Sequence, residues 1–196
     1  GEVGIDGGFL KDSGIEITEM NQGCICCSLV GDFAKNLHEV IEKFTPDRII
    51  IEPSGVGKLS DVMTSVTALE GSLDIKLNAL VTVVNALKAH KQMRAFGEFF
   101  NNQIEFATTV VLSRSTQATE DQMVFTVEQI KKLNPKAKVI TTAWAVLDGK
   151  QLLSVMEGQD NLDVKRLAEE AHEKEHHHHH HDHEHEHEHE HHHHDH

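Results

Sequence analysis

The sequence predicts an α/β chain, a mostly parallel sheet flanked by helices, with a disordered His-rich C-terminal tail. Three observations predict it. Short β-branched runs alternate with amphipathic stretches over most of the chain, the pattern of successive βαβ units. The run Arg48-Ile49-Ile50-Ile51-Glu52 reads as a buried strand and is closed by Pro53-Ser54-Gly55. The last 25 residues, His172–His196, hold 16 of the 18 histidines, eight acids and no hydrophobic residue, so they cannot join a core.

Element by element, Ile15–Met20 is predicted as a strand. Ser28–Phe44 places Leu29, Phe33, Leu37, Val40, Ile41 and Phe44 at helical spacing, with Pro46 just past its end. Arg48–Glu52 is the next strand and Leu59–Leu69 the next helix. Leu77–Val84 is a second apolar strand. Ala86–Phe106 carries helical periodicity through Phe96, Phe99 and Phe100, which are expected in the core with Trp144. Thr108–Leu112 is a strand, and Thr119–Leu133 a helix with Thr119 as N-cap, stopped by Asn134-Pro135. Lys138–Thr142 is a short strand and Gly149–Met156 a short helix. Three regions follow: 1–158 as one domain, 159–175 as a polar linker, and 176–196 as a low-complexity metal-binding tail.

The chain has 196 residues and a formal charge of -14. Such acidity argues against nucleic acid or an anionic membrane as partner. No apolar run reaches the roughly 18 residues that a membrane span needs, and no signal peptide opens the chain, so a cytoplasmic location is expected.

The three cysteines fall within Gly23-Cys24-Ile25-Cys26-Cys27, just before a predicted helix. An odd, clustered set is a poor disulfide framework. Three thiols beside a helix N-terminus suit a metal, because the helix end lowers thiol pKa and only thiolates ligate. Soft sulfur ligands accept Zn(II), Cu(I) and related ions, and three of them leave one position of a tetrahedral shell open. A redox pair and buried structural cysteines are the competing readings. Glu52, at the carboxyl end of a predicted strand and followed by Gly55-Val56-Gly57, stands where open α/β sheets bind ligands. Its carboxylate can orient a water, and Gly55 can offer a backbone N–H to a phosphate. An acid that merely caps the following helix is the plainer alternative. In the tail, alternating His183, His185, His187 and His189 can wrap a metal ion in many equivalent ways. An expression tag or a solvated tail without a task would also explain it. His38 and His90 read as surface or packing residues, and Lys131, Lys132, Lys136 and Lys138 as solvated.

Gly1-Glu2-Val3-Gly4-Ile5-Asp6, then Gly23–Cys27, then Arg48–Gly57, in this order and spacing, resemble the CobW family of P-loop GTPases over about residues 1–158. The resemblance implies a P-loop NTPase fold that here lacks its first strand and P-loop, because the chain is expected to be truncated at both ends. It further implies GTP and Mg2+ as cofactors and a metallochaperone or metal-insertion role, with Zn2+ (or Co2+) at Cys24, Cys26 and Cys27. Gly1, Glu2 and Asp6 match the γ-phosphate-sensing loop, and Glu2 also matches a carboxylate at which relatives hold metal. Glu52 and Gly55 match the catalytic ExxG motif. Ser113 and Arg114 fall at the base-reading motif. A client metalloprotein is the implied partner, with a homodimer left open. A non-catalytic metal buffer using the tail and the cysteines is the alternative.

Departures accompany the resemblance. No G-x-x-x-x-G-K-[ST] sequence occurs, so poor nucleotide binding is expected of the chain as it stands. Ser113-Arg114-Ser115-Thr116 lacks the carboxylate that would read guanine, and Asn85 stands where relatives often have Asp.

Overall fold

The computed structural model describes residues 30–53, 57–157 and 170. The predicted strand Ile15–Met20, the start of the first helix, the linker (apart from Glu170) and the tail lie outside them.

Helix α1, Val30–Phe44, opens the described chain. It buries Phe33 and Leu37, one turn apart on one face. Thr45 ends it at φ 42, with its N–H donated to the Ile41 carbonyl at 2.9 Å. A β-branched residue in the left-handed region is strained there, where glycine is the usual choice. Helix α2, Leu59–Thr67, follows the glycine loop and buries Leu59, Val62, Met63 and Val66.

Three strands build the sheet: β1, Val81–Asn85; β2, Thr109–Ser113; and β3, Lys138–Ile140. Their order is β1-β2-β3 and both pairings are parallel. β1 runs in register with β2 from Val81↔Thr109 to Asn85↔Ser113, and β2 with β3 from Thr109↔Lys138 to Val111↔Ile140. Parallel neighbours require crossovers, and helices α3, Ala89–Glu105, and α4, Glu120–Leu133, supply them. The short Trp144–Val146 3-10 turn and helix α5, Gly149–Glu157, close the described chain. This is the α/β architecture that the alternating pattern predicts.

Burial follows position in the sheet. The central strand β2 is buried at Thr109, Val110, Val111 and Leu112, whereas β1 alternates and leaves Val83 exposed. The main core joins Leu80, Val84, Val110 and Leu112 to Leu59 and Met63 of α2, Ile104 of α3 and Ile130 of α4. A smaller cluster holds Phe33, Leu37 and Val66, with Ile41, Ile49, Ile51 and Leu73 packed against it.

One buried amide ties the end of α3 to the end of α4. Asn134 Nδ2 donates to the carbonyls of Ile104 at 2.9 Å and Ala107 at 2.8 Å, and its Oδ1 accepts from the Ala137 N–H at 3.0 Å. Residues expected only to stop a helix thus also satisfy helix-end carbonyls that burial hides from water. At the other end of α4, Thr119 and Gln122 form a reciprocal capping box.

Two expectations fail. Arg48–Glu52 joins no strand ladder among the described residues. Ile49 and Ile51 pack on the smaller cluster while Ile50 is 85% exposed. The segment alternates as a strand would, but a ladder also needs a neighbouring backbone, and none of the described strands lies beside it. The aromatic core is the second. Phe100 packs against the main core, but Phe96 is 60% and Trp144 54% exposed, and Phe99 is exposed as well. The reason in α3 is Gly97, whose φ 31 and ψ -100 are not helical. The break interrupts the 3.6-residue period, so Phe96 no longer shares a face with Phe100. Glycine reaches that backbone region at little cost.

Candidate functional site

In a parallel sheet the loops leaving the carboxyl ends of the strands converge, and ligands bind among them. The described loops of this kind follow β1, β2 and β3. After β1, Asn85 turns the chain: its Oδ1 accepts from the Leu87 N–H at 3.0 Å and its carbonyl from the Lys88 N–H at 3.0 Å. This Asx-turn uses the side chain locally, so Asn85 serves the backbone here. Just beyond, at the start of α3, lies a depression of about 380 Å³ lined by Leu87, Lys88, Lys91, Gln92, Ala95 and Phe96.

After β2, Ser113 Oγ donates to the Val84 carbonyl at 3.4 Å, tying the two strand ends together. Arg114 follows at φ 58 with an exposed side chain, and its carbonyl accepts from the N–H groups of Gln117 at 3.0 Å and Ala118 at 3.2 Å. A non-glycine residue held in the left-handed region costs on the order of 1–3 kcal/mol, and such strain persists where surrounding bonds over-determine it. Trp144 arrives at the same place from beyond β3. Its Nε1–H donates to the carbonyl of Leu112, one residue past the last β2–β3 pair, at 3.4 Å.

The glycine loop is held from its other end. Gln103 Nε2 donates to the Gly57 carbonyl at 2.5 Å. Asn102 accepts from the Ser60 N–H at 3.2 Å through Oδ1, and donates to Ser60 Oγ at 3.0 Å through Nδ2. Lys58 pairs with Glu98 and lies 5.9 Å from the centre of the Phe99 ring. All four partners belong to the half of α3 beyond the Gly97 break, so that half of the helix holds Gly57 and the start of α2. Reading for chemistry missed this latch. The visible signal was Asn101-Asn102-Gln103, three successive amides between the apolar Phe100 and Ile104.

Of the residues expected to carry function, Ser113 and Arg114 stand together at the carboxyl end of β2. Glu52 is exposed at the end of its extended segment. Gly1, Glu2, Asp6, Cys24, Cys26, Cys27, Gly55, His183, His185, His187 and His189 lie outside the described residues. Among the described residues no three His, Cys, Asp or Glu side chains come together as a metal site, and no helix is long and apolar enough to cross a membrane. His38 pairs with Glu42 one turn on at 3.4 Å, and His90 packs edge-on against Phe125, as expected of surface and packing histidines.

Comparison with known proteins gives three kinds of result. The sequence model of the family described as "CobW/HypB/UreG, nucleotide-binding domain" matches residues 1–141. Zinc chaperone YeiR of Escherichia coli is 31% identical over 121 residues, covering 62% of this chain and 37% of that protein. Zinc-regulated GTPase metalloprotein activator 1 of Dictyostelium discoideum is 24% identical over 190 residues, 78% of this chain and 40% of that protein. Zinc chaperone YjiA of Escherichia coli is 24% identical over 154 residues, 76% and 48%. The chain therefore spans between about a third and a half of these relatives' length. No solved structure gives a significant match. With the sheet, its crossovers and its strand-end loops all inside the matched residues 1–141, this chain belongs to the CobW/HypB/UreG nucleotide-binding domain family.

Proposed function

We propose that this chain is part of a GTP-dependent metallochaperone that carries zinc to a client metalloprotein. The observation that carries the reading is that Cys24, Cys26 and Cys27 fall inside the residues 1–141 matched by the family, while relatives similar to this chain are named zinc chaperones. The donor set fits the cargo: three thiolates suit a d¹⁰ ion and leave a fourth position through which it can exchange, with cobalt the next candidate. Glu2 is the proposed carboxylate neighbour of that site. Residues 1–158 form the proposed nucleotide domain and 159–175 a linker. Residues 176–196 form a tail whose imidazoles, His183, His185, His187 and His189 among them, raise the local metal concentration.

The residues present do not fit a complete GTP–Mg2+ site, because no Walker A sequence occurs in these 196 residues. What these residues contribute is a proposed sensor in Gly1–Asp6, a carboxylate at Glu52 that orients water, a backbone N–H at Gly55, and a base-facing loop at Ser113 and Arg114. A sensor that changes conformation next to the thiolates changes how tightly they hold a metal. The Asn102–Ser60 and Gln103–Gly57 bonds support this reading, since they tie Gly57 and the start of α2, just past Glu52 and Gly55 in the chain, to α3.

Zinc titration with a competing chelator tests it on three proteins: the chain, a version ending at Ala171, and Cys24→Ser/Cys26→Ser/Cys27→Ser. The expected result is one tight site that survives loss of the tail and disappears with the thiols. If all tight binding leaves with the tail, the cysteines hold no cargo and the chain is a metal buffer.

A further inference from the structure

The two halves of α3 differ in what holds them. Beyond Gly97 the helix is tied to Gly57 and Ser60, and Lys58 is paired with Glu98. Before Gly97 one face is occupied: Ala89 is buried in the main core, and His90 packs edge-on against Phe125 of α4 with ring centres 5.3 Å apart. On the remaining face, Lys88, Lys91, Gln92 and Ala95 recur at three- and four-residue intervals and so form one stripe. Together with Leu87 and Phe96 this stripe lines the depression of about 380 Å³. Lys88, Lys91 and Ala95 are exposed, and Phe96 is exposed to 60%.

The stripe is also basic. From Ile75 to Gly97 the sequence has four cations, Lys76, Lys88, Lys91 and Arg94, and no acid, in a chain with 32 acids among 196 residues. Among the described residues Lys88, Lys91 and Arg94 make no ion pair, unlike Lys58. Unpaired cations at the rim attract and orient an anionic group, and an apolar floor gains from burying a side chain.

Charge and floor together select the occupant. The chain's own tail is acidic but has no hydrophobic residue, so it matches the rim and not the floor. A second copy laid face to face on the same stripe sets lysines against lysines, which opposes association. Nucleic acid meets a chain of formal charge -14, whose long-range field repels it. An acidic peptide with a large apolar side chain matches both parts.

We infer that this face of α3 docks a partner protein through an acidic segment bearing a large apolar side chain. The apolar group fills the depression between Leu87 and Phe96, and the acids meet Lys88 and Lys91. The inference goes beyond the metal reading and uses none of its ligands.

Random short peptides displayed on phage, selected on the full chain and counter-selected on Lys88→Glu/Lys91→Glu, are the probe. The inference expects enriched sequences in which two or more acids flank a Leu, Ile, Phe or Trp. Such a peptide shifts the backbone amides of Leu87–Phe96 in NMR spectra of the full chain. Its affinity falls about tenfold or more with Lys88→Glu/Lys91→Glu or Phe96→Ala, and is largely kept with Lys88→Arg/Lys91→Arg. Changing the peptide's acids to amides weakens it by about tenfold against the unaltered chain, a readout that no folding defect can imitate. Added salt weakens the acidic peptide and leaves the amide version unchanged.

Enriched sequences that are basic or wholly polar overturn the inference, as does a selection that never separates the chain from its charge-reversed variant. Peptides that shift amides elsewhere and leave Leu87–Phe96 still overturn it too. Leu87–Phe96 amides that differ between the full chain and a version ending at Ala171 mean that the tail covers the face. Amides there that move with protein concentration alone mean that a second copy does, and amides that move with a DNA duplex but with no peptide mean a nucleic-acid surface. Each of these three results also overturns it.

Discussion

The stretch from Leu77 to Ile140 and the stretch from Val30 to Glu52 are composed alike, with apolar runs and amphipathic helices in alternation, yet among the described residues only the first forms a strand ladder. In the first, β2 lies between two parallel partners and is buried from Thr109 to Leu112. Two helices cover it, and Asn134 ties their ends. In the second, Ile49 and Ile51 pack on a three-residue cluster while Ile50 stands in solvent. The difference shows that an apolar run needs a neighbouring backbone before it becomes a strand, and that a helix face alone does not supply one.

The contrast can be broken most severely at the hub of the stronger half. Asn134→Ala leaves buried carbonyls of Ile104 and Ala107 and the Ala137 N–H without partners, and should cost about 3 kcal/mol. Thermal unfolding would show this as a drop on the order of 10 °C in Tm. A change of only a degree or two would mean that water replaces the amide without loss.

Next in size is the smaller cluster. Phe33→Ala should cost about 3 kcal/mol if that half unfolds with the rest, and much less if it opens on its own. Hydrogen exchange decides: amides of α1 should exchange markedly faster than those of β2, and Phe33→Ala should widen the gap without touching β2. Equal protection in the two regions would erase the distinction.

Alternation in the unpaired segment gives a sharper, smaller test. Ile51→Ser should destabilise by about 1–2 kcal/mol, whereas Ile50→Ser should change stability by less than about 0.5 kcal/mol. Denaturant midpoints measure both, and a costly Ile50→Ser would mean that this side chain is covered in solution.

Much of the fold was legible because local rules and burial agree along it. β1, β2 and β3 are apolar runs bounded by turn residues, and the Thr119 capping box states its own start through Gln122 three residues on. The family could be read from Cys24–Cys27 and the Glu52–Gly55 spacing, since motifs are local. Trp144 and Phe96 were misread because hydrophobicity predicts that a side chain has somewhere to go, but not that the chain brings it there. The amides Asn102 and Gln103 stood out in the sequence, but their partners at Gly57 and Ser60 did not, because the two segments lie about forty residues apart and amides pair with whatever the packing brings near.

By itself, then, the sequence determined the order of elements, the parallel class of the sheet and the residue types available for metal and phosphate chemistry, all of which rest on spacings within a few turns of chain. Tertiary structure alone decided which apolar runs found a partner, where Gly97 breaks α3, and that an indole from beyond β3 comes to rest at the end of β2. Those outcomes depend on contacts between distant segments, whose energies no single stretch of sequence contains.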